Sequence, residues 1–160
     1  MIELNKSKIK PYAVSILLTL AVGGLSGFLT SMGMDSFDAL TKPPLTPPSF
    51  LFPIVWTVLF ILMGVGAARI FMTEPTAARN RALIVYVVKL AVNFLWSIIF
   101  FNLQAYGFAF FWLILLWVLI LTMIYLFCKI DKPAALLQIP YAIWVTFAGY
   151  LNLMIWLMNR

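Results

Sequence analysis

Residues 33–72 read GMDSFDALTKPPLTPPS followed by FLFPIVWTVLFILMGVGAARIFM, and the junction between the two pieces decides the fold. The first piece holds Pro43, Pro44, Pro47 and Pro48 close together. Each lacks a backbone N–H and pushes the residue before it out of the helical region, so this stretch is not helix interior. The second piece, residues 50–72, is apolar over about the 20 residues that a helix needs to cross a hydrocarbon core. Pro53 falls in its first turn, where proline is tolerated. A rigid, non-helical segment therefore stands directly before a membrane-length helix.

Four further runs of that length lie outward from it, at residues 12–32, 82–102, 107–128 and 134–158. The whole chain of 160 residues is 64% hydrophobic and 10% charged. Soluble domains average about 45–50% apolar and about 25% charged residues, so this chain has too little polar surface to stay in water. The runs lack the alternation of a transmembrane barrel. The expectation is an all-α integral membrane protein, one domain over 1–160, built as a five-helix bundle. Asn102 to Gly107 would form a tight hairpin closed by glycine, and Lys129 to Pro133 would divide the last two helices. The first run also has the basic flank of a signal peptide, but its apolar stretch exceeds the usual 7–15 residues and no small-residue cleavage site follows. It reads as an uncleaved helix.

Positive charges orient the bundle. Lys6, Lys8, Lys10, Arg69, Arg79, Arg81, Lys129 and Lys132 lie at one set of helix ends, and only Lys42 and Arg160 at the other. By the positive-inside rule the N-terminus is cytoplasmic, and the C-terminus and the proline loop are outside. The net charge of +6 thus reads as topology and not as a nucleic-acid surface. At about 17 residues the proline loop exceeds a simple connector, and long ordered loops tend to be lids or binding loops. Its prolines pre-set an extended segment at low entropic cost. It is expected to act as a lid in which Pro43, Pro44, Pro47 and Pro48 hold Lys42 and Leu45 across a cavity mouth.

Several chemistries are excluded. The chain has no histidine, which removes the commonest general base and metal ligand, and no metal site is expected. Cys128 is alone, so no intrachain disulfide forms. Glu3, Asp35, Asp38, Glu74 and Asp131 all lie outside the spans, which leaves no acid–base pair for hydrolysis.

Helical geometry places some side chains on shared faces, because residues three and four apart lie together. Lys89, Asn93, Trp96 and Phe100 form one stripe; Tyr141, Trp144, Ala148, Asn152 and Asn159 form another; Trp56, Phe60 and Met63 form a third below the loop. Aromatic walls with a few fixed polar groups suit a flat, amphiphilic small molecule. Trp112, Trp117 and Trp156 have no such context and read as lipid contact or packing. For Asn93 and Asn152 two readings stand, an interhelical hydrogen bond and a ligand contact. Two also stand for Lys89: pairing with a ligand carboxylate or carbonyl, and snorkelling or bonding to backbone carbonyls, at an insertion cost of roughly 2.5–3.5 kcal/mol. Pro140 is expected to kink or open the fifth helix. Gly23 and Gly27 make a G-x-x-x-G that packs either inside the bundle or against a second protomer.

Three of these stretches carry a resemblance. Lys42-Pro43-Pro44-Leu45-Thr46-Pro47-Pro48 with Trp56 resembles the K-P-x-W-x-P-P…W signature of the TspO/MBR family, the tryptophan-rich sensory and translocator proteins. Asn93-Phe94-Leu95-Trp96 with Phe100-Phe101 is similar to its third-helix motif, and Pro140-Tyr141-Ala142-Ile143-Trp144 with Phe147, Ala148, Leu151, Asn152 and Asn159 to its fifth. The resemblance implies a five-helix fold, commonly a homodimer, with a pocket under the first loop. It implies protoporphyrin IX-like porphyrins and isoquinoline- or benzodiazepine-type drugs as ligands, and no required cofactor. Some bacterial members are linked to light- and oxygen-dependent porphyrin breakdown, in which Trp56 and Trp144 would donate electrons. The expected setting is a bacterial plasma membrane. The expected ligand contacts are Trp56, Phe60, Lys89, Asn93, Trp96, Tyr141, Trp144, Ala148 and Asn152. A receptor or sensor is expected; the alternative is a transporter of porphyrin or lipid-like substrates, which would need the intramembrane carboxylate or inverted repeat that the spans lack. The chain departs from the family at Leu45, where tryptophan is usual, at Phe37, where an aromatic with a polar handle is common, and at Lys89, where a neutral amide is usual; Leu45 and Phe37 are both expected in the lid. Leu153 and Leu157 break the cholesterol motif of mammalian members, so cholesterol recognition is not expected.

The charge split yields a test of orientation. In a Cys128→Ser background, a cysteine introduced at Leu45 should react with an impermeant thiol reagent added outside intact cells. Labelling only after permeabilisation would reverse the topology.

Overall fold

The computed structural model describes residues 6–160; Glu3 lies outside them. Helix α1 spans Lys6–Thr30 and continues through a 3-10 turn, Ser31–Gly33, into the short α2, Met34–Asp38. Helices α3 (Leu51–Phe71), α4 (Ala77–Ser97), α5 (Tyr106–Ile130), α6 (Lys132–Leu136) and α7 (Ile139–Met158) follow, and no strand occurs among the described residues. Five stretches are long and apolar enough to cross a membrane: Ser7–Asp38, Leu51–Phe71, Ala77–Asn102, Tyr106–Ile130 and Lys132–Met158. The chain is an integral membrane protein with a five-span helical fold.

The boundaries depart from the sequence reading in physically simple ways. The first helix starts at Lys6, before the expected 12–32, and the third at Ala77, before 82. Apolar runs mark only the hydrocarbon core, whereas helices continue into the interface with charges on their outer turns. Thr76 then caps α4 by accepting a hydrogen bond from the Arg79 backbone N–H at 3.1 Å. The last span is interrupted at residues 137–138, and α7 restarts with Pro140 in its first turn. A proline there forfeits no intrahelical bond.

The α4–α5 hairpin is not closed by glycine as expected. Helix α4 widens into a π-turn over Ile98–Asn102, and Gln104 takes the left-handed conformation at φ 52°. Gly107 lies inside α5, where an added Cβ would meet the Trp156 ring at 2.6 Å. The glycine is there for packing.

Helix α1 packs chiefly on α3, while α5 packs on both α4 and α7. In the half away from the proline loop, α1 and α3 nearly touch: a Cβ at Gly64 would lie 2.7 Å from the Ile16 Cα. Ser15 Oγ donates to the Gly64 carbonyl at 2.7 Å and Thr19 Oγ1 to the Phe60 carbonyl at 2.8 Å. Small residues and short hydroxyls are how helices associate where lipid supplies no hydrophobic drive. At the end of the bundle away from the proline loop Arg69 holds Asp131 bidentately, Nε–Oδ2 at 2.6 Å and Nη2–Oδ1 at 3.2 Å. Asp131 also accepts the Ala134 N–H and so caps α6. One carboxylate thereby ties α3 to the α5–α6 junction.

The hydrogen bond from Arg69 holds the Asp131 carboxyl below its usual range. A lowered carboxyl pKa contributes stability above the unfolded-state value, and that contribution is lost as pH falls toward the folded-state value. Thermal stability in detergent should therefore decline from about pH 4 downward, and Asp131→Asn should remove that part of the decline while lowering stability at neutral pH. Equal pH profiles for both proteins would exclude the ion pair as its source.

Candidate functional site

Above Phe60 the helices separate around a cavity of about 520 Å3. Its wall comes from α1, α2, α3, α4 with its π-turn, and α7; among the described residues none of α5 contributes. The floor is Phe60, whose ring fills the space opposite Gly23, where a Cβ would lie 2.5 Å from it. Trp56 packs beside Phe60, centroids 5.8 Å apart, and Tyr141 supports Trp56 from below at 6.1 Å.

One wall is the stack of Trp96 on Phe100, 5.2 Å apart, with Phe101 set edge-on to Phe100 at 4.9 Å. The π-turn brings Phe100 and Phe101 to the cavity together, since its wider turn rotates consecutive side chains closer than an α-helix does. Across from them stands Trp144, edge-on to Phe52 at 6.0 Å. Ala148, one turn along, leaves room between these rings.

Polar groups divide into two kinds. Asn152 is fully engaged: its Oδ1 accepts the Trp96 Nε1–H at 3.1 Å and its Nδ2 donates to the Tyr106 carbonyl at 2.8 Å. It fixes the Trp96 ring in place. Asn93 is only 4% exposed and lines the cavity, yet its amide has no hydrogen bond within the described residues. The Trp144 indole N–H is likewise buried without a partner. Buried polar groups are nearly always satisfied. The Asn93 amide lines the cavity, whereas the Trp144 N–H is sealed within its wall at a cost of roughly 1–3 kcal/mol.

Of the residues expected from the sequence, Trp56, Phe60, Asn93, Trp96, Trp144, Ala148 and Asn152 line this cavity together. Lys89 and Tyr141 do not; each lies one turn deeper, beneath the Phe60–Trp56 floor. Lys89 is 0% exposed and thus neither faces the cavity nor snorkels to a headgroup. Its Nζ sits 3.2 Å from Met63 Sδ and over the rings of Tyr86 (4.5 Å) and Tyr141 (4.9 Å). Aromatic faces partly replace water around a cation. A stripe read from periodicity cannot say at which depth a bulky residue ends the cavity.

The proline loop also differs from expectation. Neither Lys42 nor Leu45 lines the cavity. Leu45 is 80% exposed at φ 71°, pointing away. The roof is Phe37, 5% exposed, set among Phe52, Phe101 and Phe100 at 6.0, 5.6 and 6.1 Å. Lys42 lies outside it, Nζ 5.1 Å over the Phe37 ring and donating to the Asp38 carbonyl. Pro43 is buried, the Pro44 carbonyl accepts the Tyr150 hydroxyl at 3.0 Å, Pro47 is half-buried and Pro48 exposed. Asn159 both accepts from the Thr41 N–H and donates to the Thr41 carbonyl. The loop is a strap that holds the roof. Phe37, expected in the lid, does line the cavity, but periodicity missed Met34 and the α1 face at Gly23, Gly24, Gly27 and Thr30, whose apolar pattern on a lipid-facing helix carries no marker of an inner surface. The remaining tryptophans lie off the cavity: Trp112 donates to the Val92 carbonyl, Trp117 to Thr146, and Trp156 packs against Phe111.

A five-span helical bundle with an aromatic cavity under a strapped roof defines a class of small membrane proteins. The chain belongs to the TspO/MBR family, whose sequence profile matches residues 15–157. It is 39% identical over 142 residues to Protein CrtK of Rhodobacter capsulatus, covering 87% of each chain. It is 37% identical over 158 residues to the tryptophan-rich protein TspO of Chlorobaculum tepidum, covering 98% of this chain and 99% of that one. It is 30% identical over 153 residues to the translocator protein of Bos taurus, covering 92% and 90%.

Because Lys89 has no carboxylate near its ammonium and takes no part in the cavity wall, Lys89→Met should stabilise the fold. The expected gain is on the order of 2 kcal/mol, seen as a raised Tm in detergent. A lower Tm would show that the aromatic cage more than offsets the burial.

Proposed function

We propose that this protein is a membrane receptor for flat, amphiphilic aromatic molecules, with porphyrins of the protoporphyrin IX type as its natural ligand class and isoquinoline- or benzodiazepine-type compounds as mimics. The observation that carries the reading is the Asn93 amide, without a hydrogen bond among the described residues, inside a cavity walled largely by rings. Its volume lies within the roughly 300–1,000 Å3 of small-molecule sites. A macrocycle lying between the Trp96–Phe100 wall and Trp144 would stack on both faces and offer a ring nitrogen or carbonyl to the Asn93 amide. The relatives named TspO and translocator protein lend support at the level of family.

The cavity wall carries no charged side chain among the described residues. Porphyrin carboxylates would therefore point out of the cavity and not toward Lys89. The proposal places the N-terminus in the cytoplasm of a bacterial cell, from the charge split, with the strap outside.

Trp144→Ala and Trp56→Ala should each weaken protoporphyrin IX binding several-fold or more, an aromatic partner contributing about 0.5–1.5 kcal/mol beyond its area. Trp112→Ala and Trp117→Ala should not. Fluorescence titration in the dark measures all four. Protoporphyrin IX and its dimethyl ester should bind the wild type within about threefold of each other, since less than 1 kcal/mol separates them if no cation is met. Equal weakening at all four tryptophans would mean that general packing, not this cavity, is being read.

A further inference from the structure

We infer that ligands reach the cavity sideways from the bilayer, through the seam between the outer halves of α1 and α3, and not past the outer loop; this rests on the binding reading above. The seam is visible as residues that are at once cavity wall and outer surface. Gly24 and Gly27 on α1 line the cavity and are exposed, and so are Pro53 and Thr57 on α3. A Cβ built at Gly24 or Gly27 would meet nothing within 4 Å. One turn inward the same two helices are closed by the Phe60 ring against Gly23, and below that by the Thr19 and Ser15 hydroxyl bonds. The gap is therefore local to the outer half. It is also without charge, and the Thr57 hydroxyl is spent on the Pro53 carbonyl at 2.7 Å. An opening of this kind at membrane depth admits what is dissolved in the acyl region.

The aqueous side is shut. None of residues 39–51 lines the cavity. Beneath them Phe37 plugs the mouth, and the strap is pinned by Asn159 on both groups of Thr41, by Tyr150 on Pro44 and by Ser49 on Asp38. Gly33 leaves no room either, its α-carbon lying against the Phe101 backbone so that a Cβ would collide with that carbonyl. Opening this side means breaking those bonds and withdrawing a buried phenylalanine. Behind the seam, by contrast, lies a space with a purpose beyond loose packing: Asn93, 4% exposed, turns an unbonded amide into it. The ligand class is thus a molecule that first partitions into lipid, which a porphyrin or a fused-ring drug does.

The test uses the full chain in phosphatidylcholine vesicles, with protoporphyrin IX added and tryptophan quenching followed by stopped flow. Gly24→Leu and Gly27→Leu, made singly, put side chains into the seam; leucine favours helix over glycine and its Cβ meets nothing within 4 Å here, so both should fold. A third protein carries Thr41→Cys, Asn159→Cys and Cys128→Ser, oxidised so that the strap is locked. The expected result is that each leucine variant slows both association and dissociation by about tenfold, the mark of a narrowed passage, while the locked strap keeps both rates within about twofold of the reduced protein. A locked strap that slows association, or leucine variants that only speed dissociation as lost wall contacts would, overturns the seam. No quenching in the wild type overturns the binding reading itself, and the seam with it.

Discussion

The close approach of α1 and α3 at Gly64 is the constraint from which the upper half of the molecule follows. Two helix backbones meet where a side chain would not fit, and the Ser15 and Thr19 hydroxyls, which lipid could not satisfy, bond across to carbonyls of α3. From that pinned point the helices diverge outward. Phe60 fills the first of the widening gap, and beyond it the gap becomes the cavity. Were α1 and α3 held apart at Gly64 by a larger residue, the Phe60 floor would lose its seat against Gly23.

Rigidity on the opposite side complements this. Trp96 cannot rotate freely because Asn152 accepts its N–H, and Asn152 is itself held by the Tyr106 carbonyl. The chain Trp96–Asn152–Tyr106 links α4, α7 and the start of α5, so the helix that lines no part of the cavity still sets the angle of its main aromatic wall. Preorganised rings lose little freedom when a ligand arrives, which is how a modest cavity holds a molecule well. Asn93 stands in the same environment without such a partner. Two asparagines of like depth thus separate into one that builds the wall and one that remains open.

Lys89 shows the same logic in reverse. Its ammonium is enclosed by Met63, Tyr86 and Tyr141 under the floor, with no carboxylate in contact. Enclosure by sulfur and ring faces keeps it out of lipid and equally out of the cavity, which therefore stays uncharged. A neutral cavity suits a ligand that has already left water. In the strap, the prolines, Tyr150 and Asn159 hold Phe37 down, and Leu45 is exposed.

By itself the sequence determined the membrane setting, the five spans and the loop that cannot be helix, because hydrocarbon imposes length and composition rules that act locally and leave their mark residue by residue. It also placed Trp56, Phe60, Asn93, Trp96, Trp144, Ala148 and Asn152 on faces that do converge, since the 3.6-residue period is a local property. Depth was not legible. Lys89 and Tyr141 share those faces but fall below a floor made by Phe60, which belongs to another helix. Nor could the sequence show that, of the lid residues, Phe37 and not Lys42 or Leu45 lines the cavity, that Asn152 is bonded and Asn93 free, or that Gly24 and Gly27 are cavity wall. Each of these is a relation between helices far apart in the chain, decided by how closely their backbones approach, and only the tertiary structure sets that distance.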